Sequence, residues 1–192
     1  MIENLSRWYY NQGLLRARSD EISVAVRYLA KAVSYDSTNL EAWNLAGLCY
    51  YRLGSFKTAE FCWARSVSLC GEGNPATGYL SDLRNALAES APHFSAVTVL
   101  CERGEYARAA AVVEAELCTR LGESAALLNY LGILYALGRK TSAALRCWTN
   151  ALSVDKDNPD TARYLAAMQR RLSYKLLKLK DRLLNRKVVT DK

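Results

Sequence analysis

Apolar residues recur at spacings of three and four along almost the whole chain. The breaks between these runs carry Gly, Ser, Asp, Asn or Pro. This is the pattern of amphipathic helices facing a common core. It predicts helices over about 3–17, 20–35, 40–53, 56–70, 75–90, 93–103, 105–119, 124–137 and 140–154. A last long helix is predicted from Pro159 into the 180s. Ser55 is expected to cap the fourth helix, and Pro75 suits the first turn of the fifth. No run of alternating β-branched residues bounded by Asn-Gly turns is present. The expected class is all-α, with about ten helices.

The helical pattern repeats. Gly13 and Gly47 are 34 residues apart, as are Ala25 and Ala59, and Leu29 and Trp63. A second echo runs at 85 residues, pairing Asn44 with Asn129, Gly47 with Gly132, Tyr50 with Tyr135, and Trp63 with Trp148. Periods of this size mark repeat architectures, in which each unit buries its apolar face only by stacking on neighbours. The second echo exceeds two 34-residue units by about one helix and its turn. Asn74-Pro75 is echoed by Asn158-Pro159. The chain therefore reads as a tandem duplication of two helical hairpins plus a capping helix. The expected modules are residues 1–90 and 91–192, with a change of direction around 75–92.

Trp43-x2-Ala46-Gly47-x2-Tyr50 followed by Ala59-x3-Trp63 resembles the tetratricopeptide (TPR) pattern. So does Leu128-x2-Leu131-Gly132-x2-Tyr135 followed by Ala144-x3-Trp148. Residues 6–39 and 90–123 match it more loosely, and the closing proline is replaced by Ser37, Gly71, Leu121 and Lys156. The resemblance implies a TPR-like helical-repeat solenoid and a role in binding, and it brings no catalytic residue. It also implies a concave groove lined by one face of the first helix of each repeat. On that face stand Asn44, Leu48, Tyr51 and Arg52, with Tyr10, Leu14 and Arg18 one repeat earlier and Asn129 and Ile133 in the second half. The Asn amides would pair with a peptide backbone, and the apolar side chains would supply contact. TPR domains that clamp chaperone tails carry Lys and Asn where Tyr10 and Leu14 stand here, so that ligand is not expected.

Charge is unevenly placed. Residues 163–192 hold ten Lys/Arg against two Asp, a net +8, while the chain as a whole carries +7. The repeat body is thus nearly neutral and the tail basic. Lys175, Lys178, Lys180, Arg182, Arg186 and Lys187 flank a stripe of leucines in the last helix. This favours an acidic protein surface as a second partner, with nucleic acid or an anionic membrane surface as the alternatives. Only Tyr174 interleaves with the basic residues, which argues against nucleic acid. No apolar run reaches the ~20 residues of a membrane span.

Six scattered cysteines without a C-x-x-C pair, and the lone His93, make no metal or catalytic motif. Reduced thiols, a cytoplasmic location, no cofactor and no enzymatic activity are expected. The leading functional expectation is an adaptor that binds a peptide or helix of another protein. A homo-oligomer is compatible with the same pattern.

Overall fold

A computed structural model describes residues 2–171, 173 and 176. The expected tail contacts Lys175, Lys178, Lys180, Arg182, Arg186 and Lys187 lie outside the described residues. The elements are α1 (Ile2–Arg18), α2 (Ile22–Tyr35), α3 (Leu40–Leu53), α4 (Phe56–Leu69), α5 (Ala76–Glu102) and α6 (Tyr106–Val112). A π-helical turn (Val113–Leu117) joins α6 to α7 (Cys118–Leu121), followed by α8 (Ala125–Leu137) and α9 (Thr141–Val154). Residues 159–171 form a further helix, α10. Among the described residues there is no strand. No helix among them is long and apolar enough to cross a membrane. The fold class is all-α, a helical-repeat solenoid, as the periodicity predicts.

Two compact units are distinguished, Met1–Asn158 and Pro159–Lys192. In the second, Arg163 pairs with Asp160 at 2.8 Å within the first turn of α10.

In the first unit, consecutive helices pack as antiparallel hairpins, α1 on α2, α3 on α4 and α8 on α9. Turns end where the backbone must turn left-handed. Gly54 has φ +83° at the end of α3 and Gly104 has φ +72° after α5, values that glycine adopts without a Cβ penalty. Asn39 caps α3 by accepting the Ala42 N–H at 2.9 Å. Ser55 does stand at the start of α4 but its side chain makes no capping bond. At α5 that role falls to Asn74, whose Oδ1 accepts the Ala76 N–H at 3.0 Å.

Two expected boundaries move. The fifth and sixth predicted helices are one 27-residue helix, α5, which runs through Pro92. An interior proline removes one backbone hydrogen bond and crowds the preceding turn. Here Leu80, Leu83, Ser90 and Val97 bury one side of the helix on both sides of Pro92, and this packing carries the chain across. The expected module boundary at residue 90 therefore falls inside α5. The predicted 105–119 helix extends to Leu121 and contains the π turn.

Two cores result. One joins Ile22, Ala25 and Leu29 to Ala46, Cys49 and Cys62. The other runs from Trp63 through Leu83, Val97 and Leu117 to Leu131 and Cys147. Helix α4 feeds both, Cys62 to the first and Trp63 to the second, so it knits the two halves together.

Candidate functional site

The repeat unit is held by a ring in a gap. A Cβ added to Gly47 would lie 2.2 Å from Trp63 Nε1, and one added to Gly132 would lie 2.3 Å from Trp148 Nε1. Gly13 gives the same close approach to Leu29, 2.8 Å from its Cγ. The missing side chain lets the partner helix seat its large side chain directly on the backbone. Both indoles then donate to the carbonyl of the asparagine three residues before the glycine, Trp63 to Asn44 and Trp148 to Asn129, each at 3.3 Å. The chain is TPR-like.

The expected groove face is partly consumed by this TPR-like body. Asn44 Nδ2 donates to Asn74 Oδ1 at 3.0 Å, and Asn74 Nδ2 donates to Ser66 Oγ at 2.9 Å and Cys70 O at 2.8 Å. The amide meant for a peptide instead ties α3 to the loop before α5. Asn129 repeats the arrangement with Asn158 at 3.4 Å. Tyr51 packs between Phe56 and Trp63, with ring centroids 5.6 and 6.0 Å away. Burial pushes its phenol above the usual range. Tyr10 is half-buried against the α2–α4 core. Of the nine expected residues, Leu14 and Ile133 are half-buried, Arg18 is exposed, and Leu48 is 37% exposed.

Arg52 takes part in a contact that periodicity does not predict. Its guanidinium donates to Asp20 Oδ1 at 2.9 Å and to Val154 O at 3.2 Å. Asp155, fully buried, accepts the Ser23 N–H at 3.0 Å and the Ser23 hydroxyl through its other oxygen. Asn158 Nδ2 also donates to Asp155, at 3.2 Å. The Lys156 N–H donates to Asp20 O, and its Nζ to Ser19 O, both at 2.8 Å. The turn between α1 and α2 is thus clasped to the end of α9. Nearby, a Cβ on Gly54 would sit 2.7 Å from both Ala126 Cβ and Ser124 Oγ, so α3 also meets α8 closely. These contacts tie the α1–α2 turn to the end of α9 and bring the end of α3 against α8.

A sequence signal for the clasp exists but is ambiguous. Asp36-x-x-Asn39 and Asp155-x-x-Asn158 form the same turn, with the Asn N–H donating to the Asp carbonyl at 3.3 and 3.2 Å. Asp36 spends its carboxylate on Thr38 within that turn. Nothing in the spacing says that Asp155 instead receives Ser23.

Hydrogen bonding from Arg52, more than its charge, holds the Asp20 carboxyl below the usual carboxylate range. A depressed carboxylate pKa contributes stability above its unfolded value, lost as pH falls through the folded value. Hydrogen exchange at residues 19–23 is therefore expected to be slow at neutral pH and to quicken below about pH 4, after correction for the intrinsic exchange rate.

The cysteines are all free. Burial pushes the Cys49 thiol up to about 12, and Cys62 and Cys118 to about 11. These are poor nucleophiles at neutral pH. Cys70 is exposed. Labelling the native protein with a maleimide is expected to modify Cys70 first, with Cys49 and Cys62 reacting only on unfolding. Mass spectrometry of digested samples reads the order. Among the described residues no cluster of three or more His, Cys, Asp or Glu is placed to hold a metal. His93 lies 3.6 Å from Glu116, beside Arg120.

No protein-family model matches the sequence, and no curated protein matches it. Solved TPR proteins are similar to it in fold. One is described as YrrB, a TPR protein with an unusual peptide-binding site. It is 18% identical, covering 82% of this chain and 90% of that one, with a TM-score of 0.37. Another is MamA from Desulfovibrio magneticus RS-1, from residue 41 to its end. It is 17% identical, covering 88% and 85%, with a TM-score of 0.38. A MamA double mutant is 16% identical, covering 86% and 84%, with a TM-score of 0.37.

Proposed function

We propose that this chain is a non-catalytic interaction module that binds a peptide or helix of another protein along the adjoining faces of α1 and α3. The observation that supports it is the surface the internal contacts leave uncovered. Leu48 stays 37% exposed on α3, and its repeat counterpart Leu14 stands on the neighbouring α1 with Arg18 exposed one turn on. Asn44, Asn129, Tyr51 and Arg52 shape the body in this reading and do not touch the partner. A cytoplasmic location belongs to the same proposal, because free thiols suit a reducing compartment.

Peptides selected against the full chain from a random library provide the test. Leu48→Glu, and separately Leu14→Glu, are expected to weaken the selected peptides at least about tenfold, since a charge is then buried against an apolar contact. Unchanged binding in both variants, with helicity intact, rejects this face.

A second reading rests on the net +8 of residues 163–192. There the partner would be an acidic protein surface, and its binding would fall steeply between about 50 and 300 mM salt. An apolar contact at Leu14 and Leu48 would hardly respond. Truncation after residue 175 separates the two.

A further inference from the structure

The outer face of the first hairpin is partly uncovered among the described residues. In the register set by Gly13 and Gly47, Trp8, Leu15 and Tyr28 correspond to Ala42, Cys49 and Cys62. Those three are buried, at 0%, 2% and 3% exposure. Cys49 and Cys62 lie in one core with Ile22, Ala25 and Leu29 of α2, which is how the second repeat stacks on the first. Their 85-residue counterparts, Leu127, Leu134 and Cys147, are buried too. In the first repeat Trp8 is 50% and Leu15 56% exposed, while Tyr28 is half-buried.

A solenoid end that meets only water carries polar residues there. This one carries a tryptophan, a leucine and a cluster of tyrosines. Tyr9 stacks on Tyr35 with centroids 5.4 Å apart and planes 9° from parallel, and Trp8 meets Tyr9 edge-on at 4.9 Å. Lys31 Nζ lies 5.3 Å over the Tyr9 ring. The rings are already ordered by one another, so a ligand need not spend binding energy to fix them. Beside them a cavity of about 350 Å³ is lined by Val24, Arg27, Tyr28 and Lys31. Among the described residues that line it, the charged ones are Arg27 and Lys31, both positive.

We propose that this end face docks an acidic amphipathic helix of another protein. The helix takes the place of a preceding repeat, with its apolar stripe over Trp8 and Leu15 and its carboxylates against Arg27 and Lys31. The face has the geometry of a helix-stacking surface because its counterparts stack helices elsewhere in the chain. The charge selects the partner's sign. Two copies of this chain meeting face to face would bring Arg27 and Lys31 against each other's like. This surface is separate from Leu14 and Leu48, so it stands or falls independently of the function proposed above.

The test uses the full chain and two fluorescein-labelled helical peptides of about 18 residues. They share one leucine stripe at i, i+3/i+4, i+7 and carry either Glu or Lys on the flanks. Fluorescence anisotropy reads binding. The Glu peptide is expected to bind and the Lys peptide to bind at least about tenfold more weakly. Trp8→Glu is expected to weaken the Glu peptide roughly thirtyfold, as loss of an aromatic anchor does. Arg27→Glu with Lys31→Glu, both at exposed positions, is expected to reverse the preference, which a merely unfolded variant would not do. Leu48→Glu is expected to change nothing here. The proposal is overturned if neither peptide binds, if both bind equally, or if charge reversal leaves the preference intact. It is also overturned if sedimentation shows a dimer that Trp8→Glu dissociates, which would assign the face to a second copy.

Discussion

Gly47→Ala is expected to destabilise the protein by about 1–3 kcal/mol, and Gly132→Ala by a similar amount. The added Cβ would sit 2.2 Å from Trp63 Nε1 in the first case and 2.3 Å from Trp148 Nε1 in the second. Neither distance is a tolerable contact. The obstructing atom belongs to a rigid ring, and Trp63 and Trp148 are nearly fully buried, so the ring cannot swing away. Overpacking of this kind costs about 1–3 kcal/mol. Displacing the indole also lengthens its 3.3 Å bond to the Asn44 or Asn129 carbonyl, worth about 1 kcal/mol. Opposing both is the gain of about 1 kcal/mol in helix propensity from Gly to Ala. The internal control is Gly78→Ala on α5, where an added Cβ meets nothing within 4 Å and φ is not positive. That change is expected to stabilise by about 0.5–1 kcal/mol. Urea denaturation of the three variants checks the sign at each site. Equal effects at Gly47 and Gly78 would show that the ring-on-backbone contact is not what holds the repeat.

The same contact explains why the repeat was legible in the sequence. A glycine followed sixteen residues later by a large side chain is a constraint on backbone approach, and spacing alone reveals it. The helix starts and stops were legible where a left-handed turn was required, as at Gly54. They were less so where packing decided. Pro92 reads as a break, but Leu83 and Val97 bury α5 on either side of it, and a short-range signal cannot weigh that burial. The π turn at Val113–Leu117 likewise leaves no mark in a pattern of threes and fours.

The site was less legible than the fold. Spacing puts Asn44, Leu48, Tyr51 and Arg52 on one side of α3. What it cannot supply is the partner. Asn74, Asp20 and Val154 reach that side only once the chain has closed, and they occupy Asn44 and Arg52. Trp8 is 50% exposed. Its meaning came only from comparing its burial with that of Ala42, which requires the structure.

Asp155→Ala is expected to cost about 3 kcal/mol and to change how the chain unfolds. Asp155 is fully buried, and Ser23 supplies both its N–H and its hydroxyl. Removing the carboxylate orphans both Ser23 donors, and hydrogen bonds to a charged group are worth about 1.5–3 kcal/mol. A stack of repeats ordinarily couples only neighbours, so its ends open independently. Here the bond joins residues 132 apart in sequence, and the first hairpin cannot leave without breaking it. The intact protein is therefore expected to unfold in one transition and the variant in two, with the α1–α2 hairpin opening first. Hydrogen exchange should show that order directly, with protection lost early across residues 6–35 and kept in α8. A double-mutant cycle with Ser23→Ala isolates the pair, and a coupling of about 1–2 kcal/mol is expected. Arg52→Ala is expected to weaken the same closure less, because its contact with Asp20 is only partly buried and solvent screens it. If Asp155→Ala lowers stability but exchange stays uniform from α1 to α9, the clasp contributes energy without closing the chain.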